Sequence, residues 1–311
     1  MTGPGMRGAR TLRRGDPGWP AGLDALPRPP SFLRVRGELP GDGARAIAVV
    51  GSRHPDEAGA RLARRLGAAL GRAGAWVVSG GAAGVDGAAH QGALDAGGRT
   101  VAVLGGGLDH LYPAAHRPLF SRVVSAGGGL AAEMEDGERP ARWTFPERNR
   151  LVAAVAEAVV VVRAGPASGA LITAGWARRL GRPLLVAAAE GPPEATAGLA
   201  SLVGLPGTGA IPFRDPGEVL AALGLAPPSA PAAAPAGASG RIPGGAGAAG
   251  AALEGAAARL WGVLGSAPVH ADEAARAAGL GAGAAVAGLV ELELLGLARR
   301  LAGNRYARCD A

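Results

Sequence analysis

The 311-residue chain has no lysine, so all 32 of its basic residues are arginine, and it has one cysteine, Cys309. A single cysteine excludes a disulfide scaffold within the chain, and no cysteine and histidine spacing is typical of a metal site. No run approaches the roughly 18 apolar residues of a membrane-spanning helix, and no apolar signal segment follows the N-terminus. We therefore expect a soluble, cytoplasmic protein without a metal or a cofactor.

The positive net charge is large, but it is weak evidence about function. The formal net charge is +7, but the arginine excess accompanies an excess of alanine, glycine and proline, as GC-rich genomes produce. The charge by itself is therefore no argument for phosphate binding, although arginine suits bidentate phosphate contacts and base stacking better than lysine does. The length indicates about two domains, one of them with a substantial core.

One stretch, Trp76–Leu94, organises the rest of the chain. An apolar run ends at Ser79 and Gly80, passes through small residues and continues as an alanine-rich segment, which predicts a buried strand, a tight turn and a helix. Glycines in such a turn let a ligand approach the main chain, and free N–H groups at the helix start favour an anion. Asp86 and His90 share one helix face, and we interpret them as structural organisers of the loop rather than as catalysts.

Apolar runs bounded by glycine alternate with helical segments in the middle of the chain. This alternation predicts an α/β fold, an extended Rossmann-like, doubly wound parallel sheet. Ligands of such sheets bind beyond the carboxyl ends of the strands, so we expect the loops at Gly51, Gly80, Gly105 and Ser168 to lie on that edge. The predicted strands are 46–50, 76–79, 100–104, 130–134, 158–162 and 184–188.

Composition divides the chain into four segments. Residues 1–45 are a lead-in rich in proline, glycine and arginine, of which we expect 1–15 to be flexible and the rest to pack on the main domain. Residues 46–225 form the Rossmann-like domain. The nearly uncharged stretch 226–250, rich in proline, alanine and glycine, is typical of a linker. Residues 251–311 follow the order of a small winged-helix domain.

The winged-helix domain has a feature that limits its role. Its predicted elements are helices over 253–264, 270–278 and 283–295 and a hairpin over 297–307. The third helix, which in such domains often reads duplex DNA, carries Glu291 and Glu293 and no arginine. Because negative charge repels phosphate, we predict that the domain is not a sequence-specific DNA reader; contact with a protein or tuning of a dimer fits it better.

Polar residues follow two of the predicted strands. Gly51, Ser52 and Arg53 place a hydroxyl and a guanidinium group at the ligand edge. Ser79 ends the second strand, where a dinucleotide-binding fold has a ribose-binding acid, and this disfavours a dinucleotide enzyme. Ser168 lies at the N-cap of a predicted helix, and capping alone would explain a serine there. An anion bound at the same place would explain both the serine and the adjacent glycine.

Residues 145–150 form the most chemically pointed segment. Phe145, Arg148, Asn149 and Arg150 combine an aromatic ring, an amide and two guanidinium groups beside an apolar helix, with Arg142 just upstream. A stacking surface among clustered guanidinium groups is what single-stranded nucleic acid requires, because every base offers a π-face.

Taken together, five motifs in this order and spacing resemble the bacterial DprA/Smf family. They are G-S-R at 51–53, S-G-G-A-A-G-V-D-G-A-A-H at 79–90, G-G-G-L-D-H-L-Y-P at 105–113, F-P-E-R-N-R at 145–150 and S-G-A-L-I-T-A at 168–174. The resemblance covers about residues 16–223, and the C-terminal domain is similar to the family's winged-helix domain.

This resemblance implies a dimeric protein that binds single-stranded DNA, protects incoming DNA in natural transformation and loads the RecA recombinase, and that is not an enzyme. By motif, it implies DNA contacts at Gly51, Ser52, Arg53, Ser79, Gly80, Gly84, Phe145, Arg148, Asn149, Arg150, Ser168, Gly169 and Thr173. Some positions depart from the family pattern. Ala83 stands where arginine is frequent, and Arg163 where glutamate is usual, so we expect DNA affinity to differ at this edge.

Two alternatives stay open. A related group of Rossmann-like enzymes, similar to lysine-decarboxylase-like phosphoribohydrolases, hydrolyses nucleotides with a P-G-G-x-G-T-x-x-E pattern, but the nearest segment here, 168–173, lacks the acid. A sensor of a small nucleotide-like ligand is the other alternative, because the same crevice could hold one.

Overall fold

The computed structural model describes residues 8–188, 191, 193–204, 209–225, 255–281, 285, 288–289, 292, 297–301 and 305–309. The chain separates into two compact units, Met1–Ala233 and Ala234–Ala311. Within the described part, no helix has both the length and the apolar character that crossing a bilayer requires.

The first unit is built on a nine-stranded sheet in the order β1-β2-β6-β5-β4-β3-β7-β8-β9. Strands β3 to β9 run parallel, β2 pairs antiparallel with β6, and β1 pairs antiparallel with β2. The strands are β1 Arg10–Leu12, β2 Leu33–Gly37, β3 Ala46–Val50, β4 Trp76–Ser79, β5 Thr100–Leu104, β6 Gly129–Ala132, β7 Ala158–Val161, β8 Leu184–Ala187 and β9 Ile211–Phe213.

In the described part of this unit, seven α-helices cover the two faces of the sheet. They are α1 Glu57–Arg72, α2 Val85–Asp95, α3 Arg117–Ser125, α4 Thr144–Val155, α5 Ala170–Arg179, α6 Pro193–Gly204 and α7 Pro216–Ala222. The backbones of α1 and α2 are in van der Waals contact. They approach so closely that a Cβ added at Gly92 would lie 1.9 Å from the Arg64 carbonyl oxygen. Helix α4 crosses β3, β4 and β5 and packs against α5. This confirms the predicted doubly wound α/β fold.

The sequence of α1 shows why these segments become amphipathic helices. Asp56 caps the helix, since its Oδ1 accepts the Gly59 N–H at 3.0 Å. Ala63, Leu66 and Leu70 recur at helical spacing and are fully buried against the sheet. Burial of each leucine stabilises the fold by about 1.5–3 kcal/mol, so the apolar stripe, more than helix propensity, fixes α1.

The order of the strands contains one reversal, and it positions the site. The chain passes from β3 through β4 and β5 to β6 and then returns to β7, which pairs with β3 on its other side. Right-handed crossovers place the helices before and after this return on opposite faces. The carboxyl ends of β3 and β7 therefore flank a topological switch point, where α/β sheets form their ligand crevice.

The N-terminal lead-in differs from the prediction. Residues 1–7 lie outside the described residues, but Arg10–Leu12, within the stretch predicted to be flexible, forms β1. Strand β2 extends the sheet beyond β6, with Val35 opposite Ala131. Strands β1 and β2 of the lead-in thus belong to the sheet itself. Helix α6, strand β9 and helix α7 were also not predicted, because their apolar runs are short.

The second unit contains α8 Gly255–Val263, β10 Val269–His270, α9 Ala271–Ala277, β11 Ala298–Leu301 and β12 Arg305–Arg308. Its strands pair in the order β10-β12-β11. The predicted linker 226–250 lies outside the described residues, as do Glu291 and Glu293 of the predicted third helix. Leu260, Leu289 and Tyr306 form part of the unit's own buried core.

Candidate functional site

A crevice of about 780 Å³ opens at the carboxyl ends of β3, β4 and β7. It lies at the switch point, and the predicted loops at Gly51, Gly80 and Ser168 all reach it. Its lining includes Gly51, Ser52, Arg53, Gly80, Asp86, Tyr112, Arg142, Phe145, Arg148, Asn149, Ser168, Gly169, Ile172, Thr173 and Glu194.

The loop after β3 is held rigidly by its neighbours. The Ser52 N–H donates to the carbonyl oxygen of Arg163 at 2.7 Å, and the Ser52 carbonyl accepts the Val85 N–H at 3.1 Å. A Cβ at Gly51 would lie 2.6 Å from Val85 Cγ2, so a larger residue there would force its neighbours to shift. The loop leaves Arg53 exposed at the mouth of the crevice.

The glycine loop after β4 differs from the prediction of free N–H groups that face an anion. Asp86 Oδ2 accepts the Gly80 and Ala82 N–H groups at 3.1 and 3.3 Å, and the Val85 N–H is used by Ser52. The protein's own carboxylate therefore takes the place of the anion. Burial raises the pKa of Asp86, and the positive charge of Arg148 opposes this shift.

Ser79 and Gly84 shape this loop and are not part of the crevice lining. Ser79 is fully buried, and its hydroxyl donates to the Val49 carbonyl at 2.7 Å. Gly84 begins α2 with φ +80°, and a Cβ there would lie 2.4 Å from the Ser52 carbonyl oxygen. Both were predicted to contact DNA; their geometry gives them an internal role, because neither offers a free polar group to the crevice.

Arg148 occupies the floor of the crevice, which we define as Gly80, Asp86 and Arg148. Its guanidinium Nη1 donates to the carbonyls of Gly80 and Val103, and the residue is 6% exposed. A Cβ at Gly80 would lie 2.4 Å from Arg148 Nη2, so the glycine makes room for the guanidinium group. Burial lowers the pKa of Arg148 to about 10, and Asp86 opposes this shift. A phosphate contact was predicted here, but the structure directs the donors of Nη1 to backbone carbonyls.

His90 lies buried behind the floor. Its Nδ1 is 2.6 Å from Thr100 Oγ1, whose proton is donated to the Val77 carbonyl at 2.6 Å. Nδ1 must therefore carry the imidazole proton, and the buried Nε2 has no hydrogen-bond partner among the described residues. Burial lowers the pKa of His90 from 6.5 to about 3, with smaller contributions from His116 and Arg148. His90 is thus a neutral side chain that ties α2 to β5.

Aromatic and basic side chains form the rim of the crevice, which we define as Arg53, Tyr112, Arg142 and Phe145. The Phe145 ring is tilted against Tyr112 with a centroid distance of 5.5 Å, and Arg53 Cζ lies 5.0 Å from the Phe145 centroid. Tyr112 is 54% exposed, and Arg142 is exposed as well. Phe145 was predicted from its motif, whereas Tyr112 was not, although it follows the glycines at 105–107 in another of the five motifs.

The loop before α5 closes the other side of the crevice. Asn149 Nδ2 donates to the Gly169 carbonyl at 3.1 Å, and Ser168 Oγ accepts the Ala170 N–H at 3.3 Å. Thr173 is 1% exposed, yet within the described chain its Oγ1 has no hydrogen-bond partner. Buried hydroxyl groups are nearly always bonded, so the Thr173 hydroxyl is a free polar group for a ligand in the crevice.

Two further arginines near the crevice are engaged in ion pairs. Arg150, a predicted DNA contact, pairs with Glu133 and has an 11% exposed side chain, and it does not line the crevice. Arg163 pairs with Asp56 at 2.9 Å. This hydrogen bond lowers the pKa of Asp56. The arginine at 163 therefore stabilises the start of α1 rather than adding charge to the crevice. In the part of the chain that the structure describes, no cluster of three or more histidine, cysteine or acidic residues could hold a metal ion.

Comparison with known proteins gives matches across both units. The family model for DNA recombination-mediator protein A matches residues 10–222, and that for the DprA winged helix domain matches residues 244–304. The putative DNA processing protein DprA of Mycobacterium tuberculosis is 48% identical over 204 residues, which cover 61% of this chain and 52% of that protein. The chain spans about half the length of the curated relatives it matches.

Two solved structures share the fold. DNA processing protein A of Streptococcus pneumoniae superposes with a TM-score of 0.62 at 32% identity, covering 68% of this chain and 74% of that one. DNA processing protein A of Helicobacter pylori gives a TM-score of 0.60 at 27% identity, covering 69% of this chain and 95% of that one, and its structure concerns a single-stranded DNA binding mode.

Proposed function

We infer the function of this chain from its family and its crevice: it belongs to the DprA/Smf family, the family of DNA recombination-mediator protein A. We propose that it binds single-stranded DNA in the crevice. The rim carries this proposal, because two exposed guanidinium groups line the crevice together with an aromatic pair, the exposed Tyr112 and the half-buried Phe145, at the switch point of the sheet. Such a combination suits a strand whose phosphates and unpaired bases are both accessible.

The rim and the loops divide the contacts between them. Arg53 and Arg142 neutralise phosphates, and Tyr112 with Phe145 offers the stacking surface. The backbone at Gly51 and Gly169, with the side chains of Ser52, Asn149, Ser168 and Thr173, meets the sugar–phosphate chain within the crevice. Gly80 and Arg148 hold the floor in shape, as Ser79, Gly84 and Arg150 hold the surrounding loops.

Binding of this kind is largely independent of sequence and sensitive to salt. Each phosphate neutralised on a single strand steepens the dependence of log K on log salt concentration by about 0.7. Since the contacts are to phosphates and π-faces, the base sequence has little effect on affinity.

The wider role that we propose follows from the family. The protein protects incoming DNA during natural transformation and loads RecA onto it in the cytoplasm, acting as a homodimer of the 30.4 kDa chain. The Rossmann-like unit, with its lead-in, binds the DNA, and the winged-helix unit contacts a protein or tunes the dimer. Sedimentation should give twice the chain mass, and the protein should speed the onset of DNA-dependent ATP hydrolysis by RecA on coated single strands.

We propose binding rather than catalysis at the crevice. Asp86, the acid at the floor, is occupied by two backbone N–H groups and faces the charge of Arg148, so it is poorly placed to act as a free base. Incubation with nucleoside monophosphates should release no base; release would favour the hydrolase alternative. A nucleoside monophosphate that competes with DNA without being cleaved would favour the sensor.

A titration with labelled oligothymidylate tests the DNA proposal. Arg53→Gln should weaken binding about tenfold and flatten the salt dependence by about 0.7. The control is Arg65→Gln, because Arg65 is an exposed arginine on α1 away from the crevice. Equal affinity of wild type and Arg53→Gln would contradict the proposed site, and failure of the wild type to bind would contradict the function.

A further inference from the structure

A second depression lies at the other end of α5. It has a volume of about 780 Å³ and is lined by Arg178, Arg179 and Arg182 together with Gly175, Leu184 and Ile211. Arg178 and Arg179 are exposed. Among the described residues, none of the three guanidinium groups has a carboxylate partner, and Arg182 Nε has no hydrogen-bond partner.

Helix capping accounts for only part of this charge. Arginines in the last turn of α5 complement the negative end of the helix dipole, and this explains the positions of Arg178 and Arg179. Arg182 lies beyond the helix and is half-buried, and all three residues line the same depression. Arg179 is braced at this surface by Trp176, since its Cζ lies 5.3 Å from the ring centroid.

Helix α5 connects this depression to the crevice. Ile172, Gly175 and Arg179 recur at helical spacing and share one face of the helix. Ile172 lines the crevice and is 39% exposed, and Gly175 lines the depression. At Gly175, a Cβ would meet no atom within 4 Å, so this face is open. The helix has 10 residues, which span about 15 Å.

We propose that single-stranded DNA leaving the crevice continues along this face of α5 and places its phosphates against Arg178, Arg179 and Arg182. The proposal rests on the proposed function of the crevice. Charge complementarity and continuity with the crevice favour a polyanion that is already bound next to α5. The open face at Gly175 admits a backbone without a clash. The binding site is thus longer than the crevice.

The experiment compares oligothymidylates of about 4 to about 16 nucleotides, a range of known single-strand site sizes. Wild type and Arg178→Gln/Arg179→Gln are titrated with each length at several salt concentrations. The control is Arg65→Gln/Arg72→Gln, which removes two exposed arginines of α1 and the same net charge. Thermal unfolding of each variant establishes that the fold is intact.

We expect the α5 variant to bind the shortest strands as wild type does and the longest about tenfold more weakly, with a salt slope lower by about 1.4 for two lost contacts. The control should show no such dependence on length. A loss of affinity that is equal at all lengths, or no loss of affinity, would overturn the proposal. An acidic protein segment would then be the better candidate to bind in the depression. If wild type binds short strands but gains nothing with length, the track along α5 is wrong while the crevice stands. If wild type binds no strand, both proposals fail.

Discussion

The floor and the rim of the crevice use the same type of residue in opposite ways. Arg148 at the floor is buried, and its Nη1 donates to the carbonyls of Gly80 and Val103. Arg53 at the rim is exposed and lies over the Phe145 ring. A buried guanidinium group bound to backbone holds structure, whereas an exposed one on an aromatic ring is free to meet a phosphate. Position in a motif therefore does not decide the role; exposure does.

Removal of the floor arginine should have the largest effect on stability. Arg148→Met leaves two buried carbonyls without their donor and Asp86 without the opposing charge. We expect the free energy of unfolding to fall by about 3–5 kcal/mol, measured by denaturant titration. The matched rim variant, Arg53→Met, should change it by less than about 0.5 kcal/mol.

The opposite outcome would reverse the comparison. If Arg148→Met unfolds like wild type but loses DNA binding, Arg148 is a direct DNA contact, as the motif resemblance implied. If Arg53→Met is strongly destabilised, the rim is structural too.

His90, which lies behind the floor, makes the free energy of unfolding dependent on pH. The folded protein keeps His90 neutral because its pKa is lowered to about 3, whereas the unfolded chain takes up a proton near pH 6.5. As the pH falls below that value, protonation favours the unfolded state by about 1.4 kcal/mol per unit until the folded-state pKa is reached. Between about pH 6.5 and 5, this amounts to about 2 kcal/mol.

The measurement is the free energy of unfolding across that range for three proteins. His90→Gln should lose this part of the slope, because glutamine does not titrate. His54→Gln, at an exposed histidine, should keep it. The same slope in His90→Gln as in wild type would show that another group accounts for the loss of stability in acid.

The rim can be divided further by exposure. Phe145, between Arg53 and Tyr112, is half-buried, whereas Tyr112 is more than half exposed. We expect Tyr112→Leu to weaken oligothymidylate binding by about 1–3 kcal/mol, the usual contribution of one stacked base, without a change in the melting temperature.

Trp143 supplies the control for this prediction. It is 68% exposed but does not line the crevice, so Trp143→Leu should have the smaller effect. A larger effect at Trp143 would mean that the bases stack outside the crevice.

The sequence allowed the parallel sheet and its ligand edge to be predicted because those signals are local. Strands such as Ala158–Val161 are unbroken apolar runs that end near glycine, and each carries its own boundaries. Strand β1 could not be found in this way. Three residues are too few for a pattern, and their pairing depends on β2, which depends in turn on β6.

Local sequence patterns also could not distinguish the residues of the floor from those of the rim. Arg148 reaches carbonyls that lie 68 and 45 residues away in the sequence, and the space that it fills exists because residue 80 is glycine. The ion pair of Arg150 with Glu133 likewise joins a helix to the loop after β6. Motif resemblance ranked these arginines together, since it contains no information on which of them face solvent.

The smallest effect should separate two arginines that lie eight positions apart in sequence. Arg142 is exposed, lines the crevice and has no ion-pair partner among the described residues; Arg150 is paired with Glu133. Arg142→Gln should flatten the salt dependence of DNA binding by about 0.7. Arg150→Gln should leave the slope unchanged and affect affinity by less than about 1 kcal/mol, because its charge is already neutralised. Equal changes in slope would mean that Arg150 leaves Glu133 and contacts a phosphate when DNA binds. Exposure in the free protein would then no longer distinguish the residues that stabilise the crevice from those that bind the strand.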